Sequence, residues 1–239
     1  MQKLATINFE NPLASLEESI HNAQRQIGAN WCIGAELEFY LLDQEALPPA
    51  FPLTSTSYNA KLQQELPHYI TELHELLSKN VQSYDDLVPE RGEGQYEITI
   101  RHHKDVQRVA YELLLARRLI SEFADANEKL ALFSAKPFAN DYGSALHFHI
   151  SLHDDTGENL FANTCLEPNE TEICYQAIAG LLGSCLEYLP CFIPTAKDLV
   201  RLVPGYDAPT HICWGGNNRT TLLRLPVTGE GRRIEHRLA

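Results

Sequence analysis

In GAELEFYLLD, residues 34–43, Glu36 and Glu38 fall on one side of an extended chain and Leu37, Phe39 and Leu41 on the other, because successive side chains of a strand point to opposite faces. Three further stretches repeat the pattern. In ALHFHISL, His147, His149 and Ser151 share a face opposite Leu146, Phe148, Ile150 and Leu152. In QYEITIR, Glu97, Thr99 and Arg101 oppose Tyr96, Ile98 and Ile100, and in RRIEHRL, Arg233, Glu235 and Arg237 oppose Ile234, His236 and Leu238. Any one of these is as well explained by the wet face of an antiparallel sheet. Together they agree chemically: joined on a common side, they gather glutamates, histidine and arginines. Crowded carboxylates repel one another unless cations intervene. An oxygen-rich set with one imidazole suits Mg2+ or Mn2+ better than zinc, which prefers thiolate and imidazole. Arginines beside bound cations suit a substrate that carries phosphate or carboxylate.

Helical spacing surrounds these strands. Leu13, Leu16, Ile20, Ala23 and Ile27 predict an amphipathic first helix that Gly28 is placed to end. The turn and cap residues of PLTSTSYNA precede a second stripe, Leu62, Leu66, Ile70, Leu73 and Leu77, which Pro67 is expected to kink or divide. After the glycine-rich RGEGQ turn and its strand comes a third stripe: Val106, Val109, Leu113, Ala116, Ile120 and Phe123. LALFSAK reads as a strand, DDTGEN as a hairpin turn, residues 170–189 as helix, and the tail as loops with short strands that include TTLLRLP. The economical architecture is one α+β domain.

Composition narrows the function classes. At 239 residues with 44% hydrophobic content, the chain is a soluble globular protein. A formal net charge of −13 with no basic stripe argues against a nucleic-acid partner. The six cysteines contain no CxxC pair and several sit in apolar runs, so buried reduced thiols are expected rather than disulfides or a zinc site. The opening MQKLATINFENP lacks the apolar stretch of a signal peptide, and no run is long and apolar enough to span a bilayer. A cytoplasmic location without membrane attachment is the default.

GAELEFYLLD, ERGEGQYEI, GSALHFHISL, RLVPGYDAPT, NNRTTLLRLP and RRIEHR occur in the order expected of the glutamine synthetase catalytic domain, and the chain resembles that family from about residue 13 onward. The resemblance implies an α+β fold with a curved antiparallel sheet backed by helices. It divides the chain into a helical lead-in, 1–30, and a catalytic domain, 31–239. It places one divalent ion on Glu38, Glu90 and Glu97 and another on Glu36, His147 and Glu235. His149, Ser151 and Arg233 match positions near the nucleotide, and Arg219 and Arg224 positions that hold the transferring phosphate. Gly143, Arg201 and Arg237 match positions that bind glutamate, and Asp207 the acidic group near the incoming amine. The implied reaction is ATP-dependent: glutamate is activated as γ-glutamyl phosphate and then amidated by ammonia.

The sequence also departs from the family pattern. Asp207 stands where enzymes that use ammonia carry glutamate, and Tyr142 where asparagine is expected beside the glycine. WGGNNRT and IEHR look closer to the γ-glutamylpolyamine branch, so a polyamine or alkylamine competes with ammonia as acceptor. The family's N-terminal β-grasp domain and C-terminal helical part have no counterpart in these residues. A catalytically impaired homologue that binds metal or nucleotide is therefore the third reading. Stacked rings in the family imply a homo-oligomer.

Overall fold

The computed structural model of the chain describes residues 11–43, 62–162, 171–226 and 232–238. The expectations for PLTSTSYNA, Cys165 and Glu170, and for the side chains of Leu13, Leu62, Leu66 and Pro67, lie outside the described residues.

Strand β1 (Asn30–Asp43) is the spine of the sheet. Along one edge it pairs antiparallel with β3 (Gln95–His103), which in turn pairs with β2 (Tyr84–Pro89). Along the other edge it pairs first with β5 (Leu146–His153) and then, from Tyr40 onward, with β4 (Lys129–Leu132). Beyond β5 come β8 (Ile234–His236), β7 (Thr221–Arg224) and β6 (His211–Gly215), giving the order β2-β3-β1-β5-β8-β7-β6. The four strands singled out by alternation, β3, β1, β5 and β8, are therefore consecutive neighbours. The sheet is mixed rather than purely antiparallel, because β6 runs parallel to β7. Alternation reports which face a residue takes and is blind to strand direction.

The helices begin and end where local chemistry dictates. In α1 (Pro12–Ile27), Asn11 caps the Ala14 amide at 3.2 Å, and Gly28 closes the helix with a left-handed φ of 66°. In α3 (Val106–Ala126), Asp105 accepts the Arg108 amide at 3.0 Å. The second stripe forms α2 (Leu62–Asn80) in one piece, so of the two outcomes expected at Pro67, a kink or a division, the division does not occur. Proline removes one hydrogen bond near the start of this helix, and the turns beyond it suffice. The 170–189 segment is two helices, α4 (Glu172–Gly183) and α5 (Cys185–Phe192), meeting at Ser184.

The helices cover the apolar face. Leu37, Phe39, Leu41, Ile98 and Ile100 pack against Leu73 and Leu77 of α2 and against Val109, Leu113, Ala116 and Ile120 of α3. Leu152, Leu223 and Ile234 pack against Cys174, Ile178 and Cys185. Each such fully buried aliphatic side chain contributes roughly 1.5–3 kcal/mol, enough to fix the register and leave the polar face outward. Cys32, Cys174 and Cys185 are buried and outside any disulfide, as expected, whereas Cys191 is exposed and Cys213 half-buried. Among the described residues no helix is long and apolar enough to cross a membrane.

Candidate active site

Register converts alternation into a site. Glu38 lies opposite Glu97, Glu36 opposite His147, and Glu235 opposite both His149 and Arg224. Glu36, His147 and Glu235 bring ligand atoms within 4.8 Å of one another, and Glu38, Glu97 and His147 form a second such group. Both open into a cleft of about 140 Å³ that Glu90, Gly143, Arg201, Asp207, Arg219, Arg224 and Arg237 also line. That volume is below the roughly 300–1,000 Å³ of pockets that enclose a whole small-molecule ligand. It accommodates ions and the reacting end of a substrate.

The two groups differ in how their charge is balanced. Burial pushes Glu36 upward, but contacts from His147 and His149 outweigh it and hold its carboxyl well below the usual range. Their rings approach at 3.3 Å and 2.8 Å. Arg233 Nε donates to His149 Nδ1 at 3.0 Å, which puts the ring proton on Nε2, facing Glu36. Glu235 is almost fully buried and is met by Arg224 and by Arg237 Nε, the latter at 3.1 Å. In the other group, burial, and then Glu90, raises Glu38 to about 8. Burial, then Glu36, Glu38, Glu90 and Glu235, raises Glu97 to about 9. Burial lowers His147 to about 4, so its imidazole is neutral at pH 7, and its buried Nε2 has no hydrogen-bond partner.

These residues fit a divalent cation. An orphaned imidazole nitrogen among carboxylates that repel one another is the donor set such an ion satisfies. Glu90 lines the cleft and acts electrostatically on Glu38 and Glu97, but it stands outside both close groups, and His147 completes the second one.

The arginines divide by burial. Arg201 and Arg237 are nearly fully buried and tied to backbone. Arg201 Nη2 donates to the carbonyls of Arg237 and Leu238 at 2.8 and 3.0 Å. Arg237 donates to the carbonyls of Arg219 and Asp207 at 2.8 and 2.7 Å. Gly143 explains itself sterically: a Cβ there would lie 2.4 Å from both the Ala135 carbonyl oxygen and Arg201 Cγ. Arg219 and Arg91 are more open and share one oxygen of Asp207, at 3.0 and 2.8 Å. Asp207 adopts a positive φ of 53°, a conformation aspartate tolerates better than most residues.

Other expected residues lie elsewhere. His149, Ser151 and Arg233 continue along the same sheet face without lining the cleft; Ser151 Oγ is 3.1 Å from His153 Nε2. Arg101, grouped with Glu97 by alternation, pairs with Asp85 at 3.7 Å and is exposed, away from the cleft. Sequence reasoning missed Arg91, Gln95 and Tyr40. Gln95 carried a signal, since it shares the parity of Glu97 and Thr99. Arg91 lies in a turn where no period applies. Tyr40, whose hydroxyl donates to the Tyr142 carbonyl at 2.7 Å, continues the Glu36–Glu38 face.

An open sheet with helices on one face, and carboxylates, an imidazole and arginines converging on the other, defines an α+β domain whose positive and negative groups share one cleft. The chain belongs to the glutamine synthetase catalytic domain family, whose profile matches residues 10–239. It is 30% identical over 228 residues to gamma-glutamylputrescine synthetase PuuA of Escherichia coli, covering 90% of this chain and 48% of that one. It is also 30% identical over 241 residues to glutamine synthetase of Pyrococcus horikoshii, covering 95% and 50%. The chain thus spans about half the length of these relatives. Among solved structures, Plasmodium falciparum glutamine synthetase superposes with a TM-score of 0.77 at 19% identity, covering 98% of this chain and 52% of that one; this likeness concerns the fold. The expected α+β fold and family are borne out.

Proposed function

We propose that the cleft belongs to an ATP-dependent γ-glutamyl amide ligase that joins glutamate to ammonia. The observation that carries this reading is the convergence of two carboxylate–imidazole groups with five arginines in one cleft. In this reading Glu36, His147 and Glu235 hold one Mg2+ or Mn2+, and Glu38 and Glu97, with Glu90 beside them, hold another. Such ions offset phosphate charge during phosphoryl transfer.

The chain's own groups do the rest. Arg201, Arg237 and the close-packed Gly143 position the substrate carboxylates. Arg219 and Arg224 face the moving phosphoryl group and stabilise its charge. A side-chain carboxylate oxygen of glutamate bonds the γ-phosphorus as the bond to ADP breaks. The amine nitrogen then attacks the acyl carbon, phosphate leaves, and Asp207 receives the nitrogen's proton. His149, Ser151 and Arg233, on the adjoining stretch of sheet, take the body of the nucleotide, which the cleft is too small to enclose.

A second reading, an alkylamine or polyamine acceptor, is supported by the relative named for putrescine and by Tyr142 and Tyr206, whose rings stack edge-on at 5.5 Å beside Asp207. The catalytic unit in this proposal is residues 31–239, with 1–30 as lead-in, working as a homo-oligomer in the cytoplasm; light scattering checks the assembly. The decisive test is calorimetric titration with Mn2+ and a non-hydrolysable ATP analogue, paired with phosphate release from ATP. Saturable, metal-dependent binding, with release that requires glutamate and either ammonia or putrescine, is expected. Well-folded protein that binds neither ligand overturns the reading.

A further inference from the structure

Gln95 is almost fully buried, and both ends of its amide are used. Its Oε1 accepts the Gly92 amide at 2.9 Å, and its Nε2 donates to Glu38 Oε2 at 3.1 Å and to the Gly143 carbonyl at 2.9 Å. These contacts fix which end of the amide is which. They join three separate parts of the cleft: strand β1 through Glu38, the turn that carries Glu90 and Arg91, and the loop that carries Gly143. Tyr40 reinforces the same junction. Its hydroxyl donates to the Tyr142 carbonyl at 2.7 Å, and a Cβ at Gly92 would lie 2.0 Å from that oxygen. The turn is therefore seated against Tyr40 and held from the other side by Gln95.

The direction of the bonds is informative. The Ala145 amide also donates to Glu38 Oε2, at 2.9 Å. Two donors thus converge on one oxygen of Glu38 and restrain the carboxylate's rotation, and neither of these bonds uses Oε1. A carboxylate held by outer hydrogen bonds on one oxygen while the other faces its ion is the arrangement that raises metal affinity and geometric precision. We propose that Gln95 is a positioning residue for the Glu38–Glu97 cation site: it presents Glu38 Oε1 and, through the Gly92 turn, sets the distance of Glu90 from that site. The Glu36–His147–Glu235 group does not depend on it, since none of Gln95's contacts reaches those side chains. This inference rests on the two-cation reading proposed above.

The test uses Gln95→Met, which keeps the volume and removes the donor, and Gln95→Glu, which keeps the shape and places an acceptor against Glu38. Circular dichroism and thermal melting establish that each is folded; either folded variant suffices. Mn2+ is titrated calorimetrically into the wild type, each variant, and each variant combined with Glu36→Gln or Glu97→Gln. The expected result is a wild type with two classes of Mn2+ site, one of which weakens about 10–100-fold in the Gln95 variants, the loss typical for an outer hydrogen-bonding partner. That loss persists with Glu36→Gln and disappears with Glu97→Gln. Equal weakening of both classes, or of neither, overturns the inference and leaves the two-cation reading standing. A folded wild type that binds no Mn2+ overturns the two-cation reading itself.

Discussion

The two ends of the cleft solve the same electrostatic problem in opposite ways. At the Glu36–His147–Glu235 end the protein meets its own carboxylates, with imidazole contacts on Glu36 and the charges of Arg224 and Arg237 on Glu235. At the Glu38–Glu97 end the carboxylates face one another with neutral amide donors on Glu38, and their pKa values rise to about 8 and 9. The first end is ionised and preorganised. The second keeps its protons up to higher pH, so a cation bound there, as proposed above, would have to displace them.

The contrast is broken most directly at its buried arginines. Glu235→Ala removes the partner of two guanidinium groups, and breaking a buried ion pair costs about 3–5 kcal/mol. A large fall in Tm measured without metal is expected. Glu97→Gln at the opposite end relieves repulsion instead, so its Tm without metal should equal or exceed the wild type's. If both variants lose stability equally, the ends do not differ as described. In Mn2+ affinity, Glu97→Ala should lose more than the roughly 10–100-fold typical of an outer-shell partner, as calorimetry would record.

The pH dependence sharpens the same comparison. A carboxyl whose folded pKa is raised keeps its proton in the folded chain after the unfolded chain has released it. Stability without metal is then greatest at low pH and falls as pH climbs from the ordinary carboxylate range of about 4.5 towards 8–9. Melting in metal-free buffers between pH 5 and 9 should show this slope, and Glu97→Gln should flatten it; a rise in Tm over that window contradicts it. Glu36 is displaced the other way, so its contribution is fully present above about 4.5 and is lost progressively as pH falls below that value. The smallest effect on Mn2+ affinity is expected of Arg219→Ala, which faces Asp207 rather than either carboxylate group. It should leave Mn2+ affinity within about twofold, while phosphate release falls on the order of 100-fold, as when one charge-stabilising donor is removed. Equal losses in both measurements would assign Arg219 to the cation sites.

Much of this contrast was legible before any coordinates. Period-two alternation placed Glu36, Glu38, Glu97, His147 and Glu235 on polar faces, and the strands that carry them are neighbours in one sheet. Alternation fixes the face but not the position along it. Thr99 and Arg101 share Glu97's parity, yet Arg101 lies at an exposed end of the strand and pairs with Asp85. Register, which sets Glu38 against Glu97 and Glu36 against His147, depends on how the helices seat the apolar face, and no single strand contains that information. Residues on turns escaped for a related reason. Glu90 entered only through family resemblance, and Arg91 not at all. The parallel return of β6 against β7 is likewise a pairing that the local pattern does not contain.

Arg237 reaches from the edge of β8 to the carbonyls of Asp207 and Arg219 while its Nε meets Glu235. One rigid planar group thereby acts as a gauge block between Glu235 and the two loops that carry Asp207 and Arg219. A lysine there carries the same charge but donates from a single point, so it could touch one of those loops and would leave the other to drift. Errors of placement would then accumulate across the cleft instead of being cancelled at its centre, and the spacing between Glu235 and Asp207 would be inherited from loop motion rather than from the sheet.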